Sequence, residues 1–459
     1  AGFNSAFGGV TITVPTLPFI TGCSFPTAYS ALGDIVITET LVNDISTFGT
    51  LTLTAPANFE FLAAAGTVTF TAGRDISSIS GVSITANAIT FTINGPGVAN
   101  LDVITISGIQ VRGINAATGA SNVTRTAGTS VIAGDVNGAT HATFTSFLNS
   151  VGAGTIATAQ TICSGGDPAS FTQTGAASGT GTLSYEWKQS TDAYVATLGT
   201  SATYDIPTGL VATTTYRRIA TSTLNGVACS STSNDITVTI NAVTGGTIAA
   251  AQTVCSGGDP AAFTETAAST GAGTLTYEWK SSSDGYSGIL ATTATYNVPL
   301  GIAATTTFRR ITTSTLGLVT CTANSNDIIV TVNGVTGGTV AAAQTICNGG
   351  NPAAFTETVA STGSGVLTYQ WKYSTDTYGA SLAITTTYDV PAGLAATTTY
   401  RRITTSTLGG VTCTSNSNDL LVTVQSAVTG GTIAAAQTIC SGGDPAPFTE
   451  SAASTGSGT

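Results

Sequence analysis

Tyr185-Glu-Trp-Lys188 is the stretch that decides the fold, because the chain repeats it at a constant interval. It returns at residues 277–280 and, with glutamine in place of glutamate, at residues 369–372, so the period is 92 residues. All three tryptophans and all three lysines of the protein lie in these tetrapeptides. A fixed period of this length is typical of tandem modules. The sequence therefore predicts an array of similar domains.

Each repeat carries the same motifs around its tryptophan. A Cys-x-Gly-Gly-x-Pro turn precedes it, and an Arg-Arg pair and a second cysteine before Asn-Asp follow it. The period of a strand places Leu183, Tyr185 and Trp187 on one face. We expect this face to form the core, with Trp187, Trp279 and Trp371 as the largest buried side chains. Short strands, frequent turns and the order Cys…Trp…Cys predict an immunoglobulin-like (Ig-like) sandwich.

Residues 1–150 lie outside the repeats and contain 11 of the 16 phenylalanines. Alternating stretches such as Ile89-Thr-Phe-Thr-Ile93 indicate half-buried antiparallel strands. The predicted fold class is all-β, with an N-terminal β-sandwich followed by tandem Ig-like β-sandwich repeats in an elongated rod. The predicted domains are the N-terminal domain 1–150, the repeats 151–242, 243–334 and 335–427, and the start of a fourth repeat at 428–459.

The eight cysteines follow the repeat. Six of them form three pairs with an equal separation of 66 residues, as expected for a disulfide inside each repeat. The predicted pairs are Cys163 with Cys229, Cys255 with Cys321, and Cys347 with Cys413. Cys440 opens the fourth repeat, and Cys23 is left over, either free and buried or bonded to another chain. Disulfides persist in oxidising compartments, so the pattern favours an extracellular location.

The composition argues against several functional classes. A net charge of −11 with only 12 basic residues argues against nucleic-acid binding. The sequence has no apolar run long enough for a transmembrane segment. It also has no methionine, so we expect Ala1 to be a mature N-terminus exposed by removal of a signal peptide or by an internal cut. Thr459 falls inside a repeat, and we expect the natural protein to continue beyond it.

No catalytic or metal-binding pattern is present in the sequence. His141 is the only histidine, and no Gly-x-Ser-x-Gly motif accompanies it. Cysteine, histidine and acidic residues are not grouped at metal-ligand spacing, and no phosphate-binding loop occurs. We therefore predict a protein that is not an enzyme and that uses no metal or cofactor.

The arginine pairs and a recurring tyrosine are the remaining candidate site residues. Neighbours on a strand point to opposite faces, so one arginine of each pair should point inward. It would then be satisfied by a carboxylate of its own repeat, such as one of the aspartates named below, or lie flat on the tryptophan, whereas a ligand-binding anion site is the alternative. The candidate ion pairs join Arg218, Arg310 and Arg402 to Asp235, Asp327 and Asp419. The candidate ligand-contact residues, which either stack on sugars or cover the sandwich edge, are Tyr194, Tyr286 and Tyr378.

The recurring motifs, from Cys-x-Gly-Gly-x-Pro to Cys-x-x-x-Ser-Asn-Asp, resemble the Ig-like (PKD-like) repeats of large secreted surface proteins of the Bacteroidetes. That family includes adhesins exported by the type IX secretion system, among them gliding-motility adhesins. The resemblance covers residues 151–459. It implies an extracellular, cell-attached, elongated protein and leaves the ligand open.

These observations lead to one preferred function and two alternatives. We expect a non-enzymatic structural or adhesive protein, a cell-surface stalk of disulfide-pinned modules that presents residues 1–150 as a head. The first alternative is a subunit of an extracellular filament or sheath, assembled through the N-terminal domain by Cys23 and by strand addition at residues 8–15. The second is a carbohydrate-binding module array of a larger secreted enzyme. The predicted partners are other surface proteins, glycans or copies of the chain itself.

Overall fold

The computed structural model describes residues 8–47, 49–95, 99–116 and 119–456. In these ranges the chain is built from short β-strands, and the helical turns are single 3₁₀ turns such as Ser190–Asp192. The chain divides into two compact units, Ala1–Ile240 and Asn241–Thr459. Unit 1 holds the N-terminal domain and the first repeat, and unit 2 holds the second and third repeats with the start of a fourth.

The N-terminal domain is a sandwich of a six-stranded and a four-stranded sheet, and it also contains a three-stranded and a two-stranded sheet. Both sheets contribute to one core, because Leu51 and Phe91 of the larger sheet and Ile37 and Ile104 of the smaller one are fully buried. Its strands are β1 Thr11–Thr13, β2 Thr16–Gly22, β3 Ser30–Ala31, β4 Ile35–Thr38, β5 Ile45–Thr47, β6 Gly49–Thr54, β7 Phe59–Phe61, β8 Thr67–Phe70, β9 Ser78–Ile84, β10 Ala88–Asn94, β11 Val103–Ser107, β12 Gln110–Gly113, β13 Ser121–Ala127, β14 Val131–Ile132 and β15 Thr140–Leu148.

The three complete repeats have matching strands, nine in each over the described residues. Repeat 1 contains β16 Val151–Gly152, β17 Thr155–Ile156, β18 Gln160–Cys163, β19 Gln173–Gly175, β20 Ser178–Gly179, β21 Thr182–Gln189, β22 Thr214–Leu224, β23 Val227–Thr232 and β24 Ile236–Asn241. Repeat 2 contains β25 Val243–Thr244, β26 Thr247–Ile248, β27 Gln252–Cys255, β28 Glu265–Ala267, β29 Thr270–Gly271, β30 Thr274–Ser281, β31 Thr306–Leu316, β32 Val319–Asn324 and β33 Ile328–Asn333. Repeat 3 contains β34 Val335–Thr336, β35 Thr339–Val340, β36 Gln344–Cys347, β37 Glu357–Val359, β38 Thr362–Gly363, β39 Val366–Tyr373, β40 Thr398–Leu408, β41 Val411–Asn416 and β42 Leu420–Gln425.

Each repeat is an Ig-like module whose larger sheet can be followed in repeat 2. Its strand order is β27-β33-β31-β30, and the hairpin strand β32 pairs with the second half of β31. β27 runs parallel to β33, whereas the other pairs of this sheet are antiparallel. The opposite layer contains the pair β26–β28 and a bridge between Phe263 and Tyr296.

An aromatic cluster fills each module between its two layers. In repeat 2, Trp279 is fully buried, with Phe263 and Tyr296 each 5.6 Å from it between ring centroids. Its indole N–H donates to the carbonyl of Thr293 at 2.9 Å, which satisfies the polar atom of an otherwise apolar group. Trp187 and Trp371 are equally buried and donate to Ser201 and Thr385. Each module therefore has its own core.

The start of the fourth repeat contains β43 Thr432–Ile433 and β44 Glu450–Ala452, which pair with each other. Phe448 is 66% exposed there, whereas Phe355, its counterpart in repeat 3, is fully buried. Phe355 packs on Trp371 of β39 and Tyr400 of β40, and residues 428–456 contain no equivalent of either side chain.

Candidate functional site: the joints between modules

A buried asparagine marks the point where one module passes into the next. Asn149 follows β15, and Asn241 and Asn333 are the last residues of β24 and β33. These three residues are spaced by 92, and each is at most 1% exposed. A fully buried carboxamide is costly unless all its polar atoms are hydrogen-bonded, so its partners define the site.

The side chain of Asn333 binds the β40–β41 hairpin of the following module. Its Nδ2 donates to the carbonyls of Ser406 at 2.9 Å and Val411 at 3.0 Å, and its Oδ1 accepts from the Ser406 hydroxyl at 2.7 Å. Ser406 Oγ also accepts the backbone N–H of Gly365 at 2.9 Å. Both hydrogens of the carboxamide and its oxygen are thus used, and aspartate or alanine could not replace them.

Asn149 and Asn241 make the same hydrogen bonds as Asn333. Asn149 Nδ2 donates to the carbonyls of Ser222 at 2.7 Å and Val227 at 2.8 Å, and Ser222 Oγ donates back at 2.7 Å. Within unit 2, Asn241 makes the equivalent bonds to Ser314 and Val319. The asparagine therefore forms hydrogen bonds with the hairpin of the module that follows it, even where the preceding module is the unrelated N-terminal domain.

A disulfide lies beside the asparagine and joins the same two modules. In unit 2, Cys255 of repeat 2 is bonded to Cys413 of repeat 3, with Cα atoms 5.6 Å apart. Cys255 is opposite Asn333 in the parallel pair β27–β33, and Cys413 is opposite Ser406 in the hairpin. These four residues form what we call the C-terminal joint.

The N-terminal joint has the same plan and consists of Cys23, Asn149, Ser222 and Cys229. Cys23 follows β2 and is bonded to Cys229 of repeat 1, with Cα atoms 5.5 Å apart. β2 is parallel to β15 and ends opposite its last residue, just before Asn149, and Cys229 lies opposite Ser222. Cys23 is therefore bonded within the chain, neither free nor joined to another chain.

The predicted disulfides inside each repeat are wrong. Cys229 is bonded to Cys23 rather than Cys163, and Cys413 is bonded to Cys255 rather than Cys347, so Cys255 does not pair with Cys321. Cys163 and Cys321 are each disulfide-bonded, whereas Cys347 and Cys440 are exposed free thiols.

The geometry of repeat 2 explains the error. Cys255 lies at the trailing end of the module, opposite Asn333. Cys321 lies at the leading end, opposite Ser314, which binds Asn241. A disulfide needs Cα atoms within about 7 Å, so two cysteines at opposite ends of a module cannot join. The equal separation of 66 residues follows from the repetition alone.

The outward arginine of each pair forms a surface cluster with an aspartate and a tyrosine. Arg217 donates to both carboxylate oxygens of Asp235 at 2.9 Å, and its guanidinium lies 3.7 Å from the centre of the Tyr194 ring. The hydrogen bonds to Asp235 raise the pKa of Arg217. Arg309 and Arg401 make the same contacts, with Asp327 and Tyr286 and with Asp419 and Tyr378.

The predicted ion pairs of Arg218, Arg310 and Arg402 with these aspartates are therefore wrong. The aspartate lies on the outer face of the sheet, whereas these three arginines point inward and are fully buried. Arg310 instead donates to the carbonyls of Ala294 and Gly245 and pairs with Glu265 at 2.7 Å. Arg402 likewise pairs with Glu357 at 2.6 Å.

In repeat 1 the position of that glutamate is occupied by Gln173. Arg218 donates there to the carbonyls of Ala202 and Ala153. Burial lowers the pKa of Arg218. These contacts tie the first residues of each module to its central strand, which is a structural task.

The three tyrosines are half-buried and have a left-handed backbone, with φ of 64° at Tyr194, 66° at Tyr286 and 62° at Tyr378. One face of each ring packs on an arginine and is not available to a ligand.

The single histidine belongs to a buried polar group of the N-terminal domain. His141 Nε2 and Arg125 Nη1 each lie 3.4 Å from Asp135 Oδ2, and all three side chains are buried. Over the described ranges, no group of three His, Cys, Asp or Glu side chains could hold a metal ion. Within the same ranges, no helix has the length and apolar character that crossing a membrane requires.

The fold and the joints define a class: a chain of tandem Ig-like modules connected by disulfides. A family model described as "Domain of unknown function (DUF8696)" matches residues 152–242, 244–334 and 336–426, more than half of the chain. The chain belongs to this family. No curated protein matches it.

The solved structures that match the chain contain several domains in a row. They include the three N-terminal domains of the outer capsid protein Hoc of bacteriophage RB49, with 13% identity, 57% of this chain and 95% of that chain covered, and a TM-score of 0.27. Titin domains I67–I69 are 10% identical over 58% of this chain and 95% of that one, with a TM-score of 0.30. The eight N-terminal Ig domains of Down Syndrome Cell Adhesion Molecule are 12% identical over 91% of this chain and 49% of that one, with a TM-score of 0.32.

Proposed function

We propose that this protein is a non-enzymatic structural or adhesive protein of the cell surface, a stalk that presents its N-terminal domain to other surface proteins, glycans or copies of itself. The observation that carries the proposal is the joint. Modules that act as independent binding or catalytic units are usually connected by flexible linkers. Here a single residue, Gly334, separates β33 from β34. A disulfide and a buried carboxamide join the same two modules at this point.

The joints also support an extracellular location. A disulfide between modules forms and persists in an oxidising compartment, and disulfides in both units depend on such conditions. The chain is also poor in charge, with 8% charged residues. A secreted, cell-attached protein of the kind that the repeats resemble, exported by the type IX system in the Bacteroidetes, fits these properties.

The two alternatives have less support. Cys23 is used within the chain, so the filament alternative has lost the cysteine that could join neighbouring subunits. The glycan alternative depends on Tyr194, Tyr286 and Tyr378, and an arginine covers one face of each ring.

The test uses intact cells that produce the protein. Antibodies against residues 1–150 and against repeat 3 are applied to cells before and after mild proteolysis, and attachment of the cells to surfaces is measured in parallel. We expect both antibodies to bind intact cells and attachment to fall when the protein is removed. Staining only after permeabilisation, or unchanged attachment, would contradict the proposal.

A second set of experiments uses the purified protein to test the two alternatives. Regular assemblies of purified protein in electron micrographs would favour the filament. Glycan binding that is lost in Tyr286→Ala but kept in Tyr185→Phe would favour the carbohydrate-binding array.

A further inference from the structure

The disulfides of the joints give each unit a covalent path much shorter than its backbone. Cys255 and Cys413 are 158 residues apart in sequence and directly bonded. We propose that these bonds carry tension past the modules, so that a stretched stalk cannot lengthen by unfolding them. This inference rests on the proposed surface role, because only an anchored protein is pulled.

The path through unit 2 can be followed residue by residue. Tension that enters at the start of repeat 2 runs along the backbone to Cys255, crosses the disulfide to Cys413 and leaves through β42. The strands that carry Trp279 and Trp371 lie inside the bypassed segment, and so does Asn333. Asn333 and Ser406 of the joint, and the core residues between the two cysteines, thus lie outside the load-bearing path, whereas Leu420 and Val422 of the repeat 3 core lie on it.

The length protected in this way is large. At roughly 3.5 Å per residue, an extended segment of 158 residues spans about 550 Å. The disulfide holds its ends at a Cα separation of 5.6 Å. In unit 1, Cys23 and Cys229 are 206 residues apart, which corresponds to about 720 Å.

A disulfide inside each repeat would act differently. A bond from Cys255 to Cys321 would protect 66 residues and leave the joint in the path of the load. The observed bond connects the trailing end of one module with the hairpin of the next, so the contact of Asn333 with Ser406 lies within the protected segment. The connectivity therefore protects the connection between modules as well as their cores.

Single-molecule force spectroscopy of the full chain tests the proposal. Handles are attached at the exposed positions Ala250 and Ala427, which flank the two cysteines of the C-terminal joint. In the unsubstituted protein, 19 residues remain free to extend between the handles, about 65 Å at full extension. In the double variant Cys255→Ser/Cys413→Ser, we expect the released length to grow by about 550 Å.

Two further variants separate protection from simple stabilisation. Cys347→Ser removes an exposed free thiol of the same unit and should leave the released length unchanged. Trp371→Ala destroys the core of repeat 3 but leaves the bond in place, so the module should unfold without adding length. When C255S and C413S are added to the Trp371→Ala variant, the full length should be released, and at a lower force than in C255S/C413S alone.

The outcomes are distinct from those of the cell-surface test. Release of several hundred ångströms from the unsubstituted protein, or from Trp371→Ala with its disulfide intact, would overturn the proposed bypass. Such a result would leave surface display and attachment of cells unaffected, whereas a protein absent from the surface would contradict the functional proposal and not the mechanical one.

Discussion

Replacing Asn333 with alanine should destabilise the two modules of unit 2 that it connects. The substitution removes hydrogen bonds to the carbonyls of Ser406 and Val411 and from the Ser406 hydroxyl, all within 3.0 Å. At roughly 1 kcal/mol for each net hydrogen bond, the loss is about 3 kcal/mol. Any of these carbonyl and hydroxyl groups that water does not reach costs about 1–3 kcal/mol, since a buried polar atom is then left unsatisfied.

The assay is urea unfolding followed by tryptophan fluorescence under non-reducing conditions, in a Trp187→Phe background so that the signal comes from unit 2. Gln425 is the matched control, because it occupies the position of Asn333 at the end of repeat 3 but is exposed. We expect Gln425→Ala to change the free energy of unfolding by less than about 0.5 kcal/mol. Equal effects of the two substitutions would refute the role of the asparagine in the joint.

A double-mutant cycle shows whether the effect comes from the joint. Asn333→Ala and Ser406→Ala should be non-additive, with a coupling energy of about 1 kcal/mol or more, because each removes the same hydrogen bond. Additive changes would place the contribution of Asn333 elsewhere.

Three other predictions concern the cores and charges. Trp279→Ala should cost about 3–5 kcal/mol in unfolding free energy and abolish the near-ultraviolet circular dichroism of its module, because the indole is fully buried. Arg310→Leu should lower the free energy of unfolding by about 3–5 kcal/mol, since it leaves Glu265 without its buried partner. Arg309→Ala, on the exposed face, should lower it by at most about 1 kcal/mol. Similar values for the two variants would contradict the assignment of inward and outward arginines. Burial raises the pKa of the Glu39 carboxyl group, so this group stays protonated to a higher pH in the folded state than in the unfolded state. The resulting stability is full below the unfolded pKa and is lost as the pH rises through the folded pKa. A Glu39→Gln variant that showed the same pH dependence of thermal unfolding would refute this cause.

The sequence predicted the fold well because its strongest signals are local. The alternation around Trp187 identifies a strand with one buried face, and the period of 92 residues makes the same argument three times. The all-β class and the tandem modules follow from that pattern. They depend on which residues are apolar and how far apart they are, and not on contacts between distant segments.

The disulfides could not be predicted in the same way. A repeated pair of cysteines gives the same spacing whether each bond closes within a module or reaches into the next one. The deciding information is that Cys255 and Cys321 lie at opposite ends of repeat 2, which depends on the parallel pairing of β27 with β33. One signal was available, since Asn149, Asn241 and Asn333 recur at the same interval and begin inside the N-terminal domain.

The contacts of the arginine pairs could also be predicted only in part from the sequence. Alternation predicted that one arginine of each pair points inward, but not which partner each one meets. Arg218 lies directly opposite Trp187 in the sheet, so the register of β21 against β22 places it on the inner face. Asp235 precedes β24 and reaches Arg217 on the outer face. That assignment requires the pairing of three strands.

A disulfide map of the native protein shows whether the bonds run between modules or within them. Protein purified without reductant is alkylated at its free thiols, digested and analysed by mass spectrometry. We expect one peptide pair that joins Cys255 to Cys413 and another that joins Cys23 to Cys229, with Cys347 and Cys440 alkylated. Peptide pairs that join Cys255 to Cys321 or Cys347 to Cys413 would contradict it.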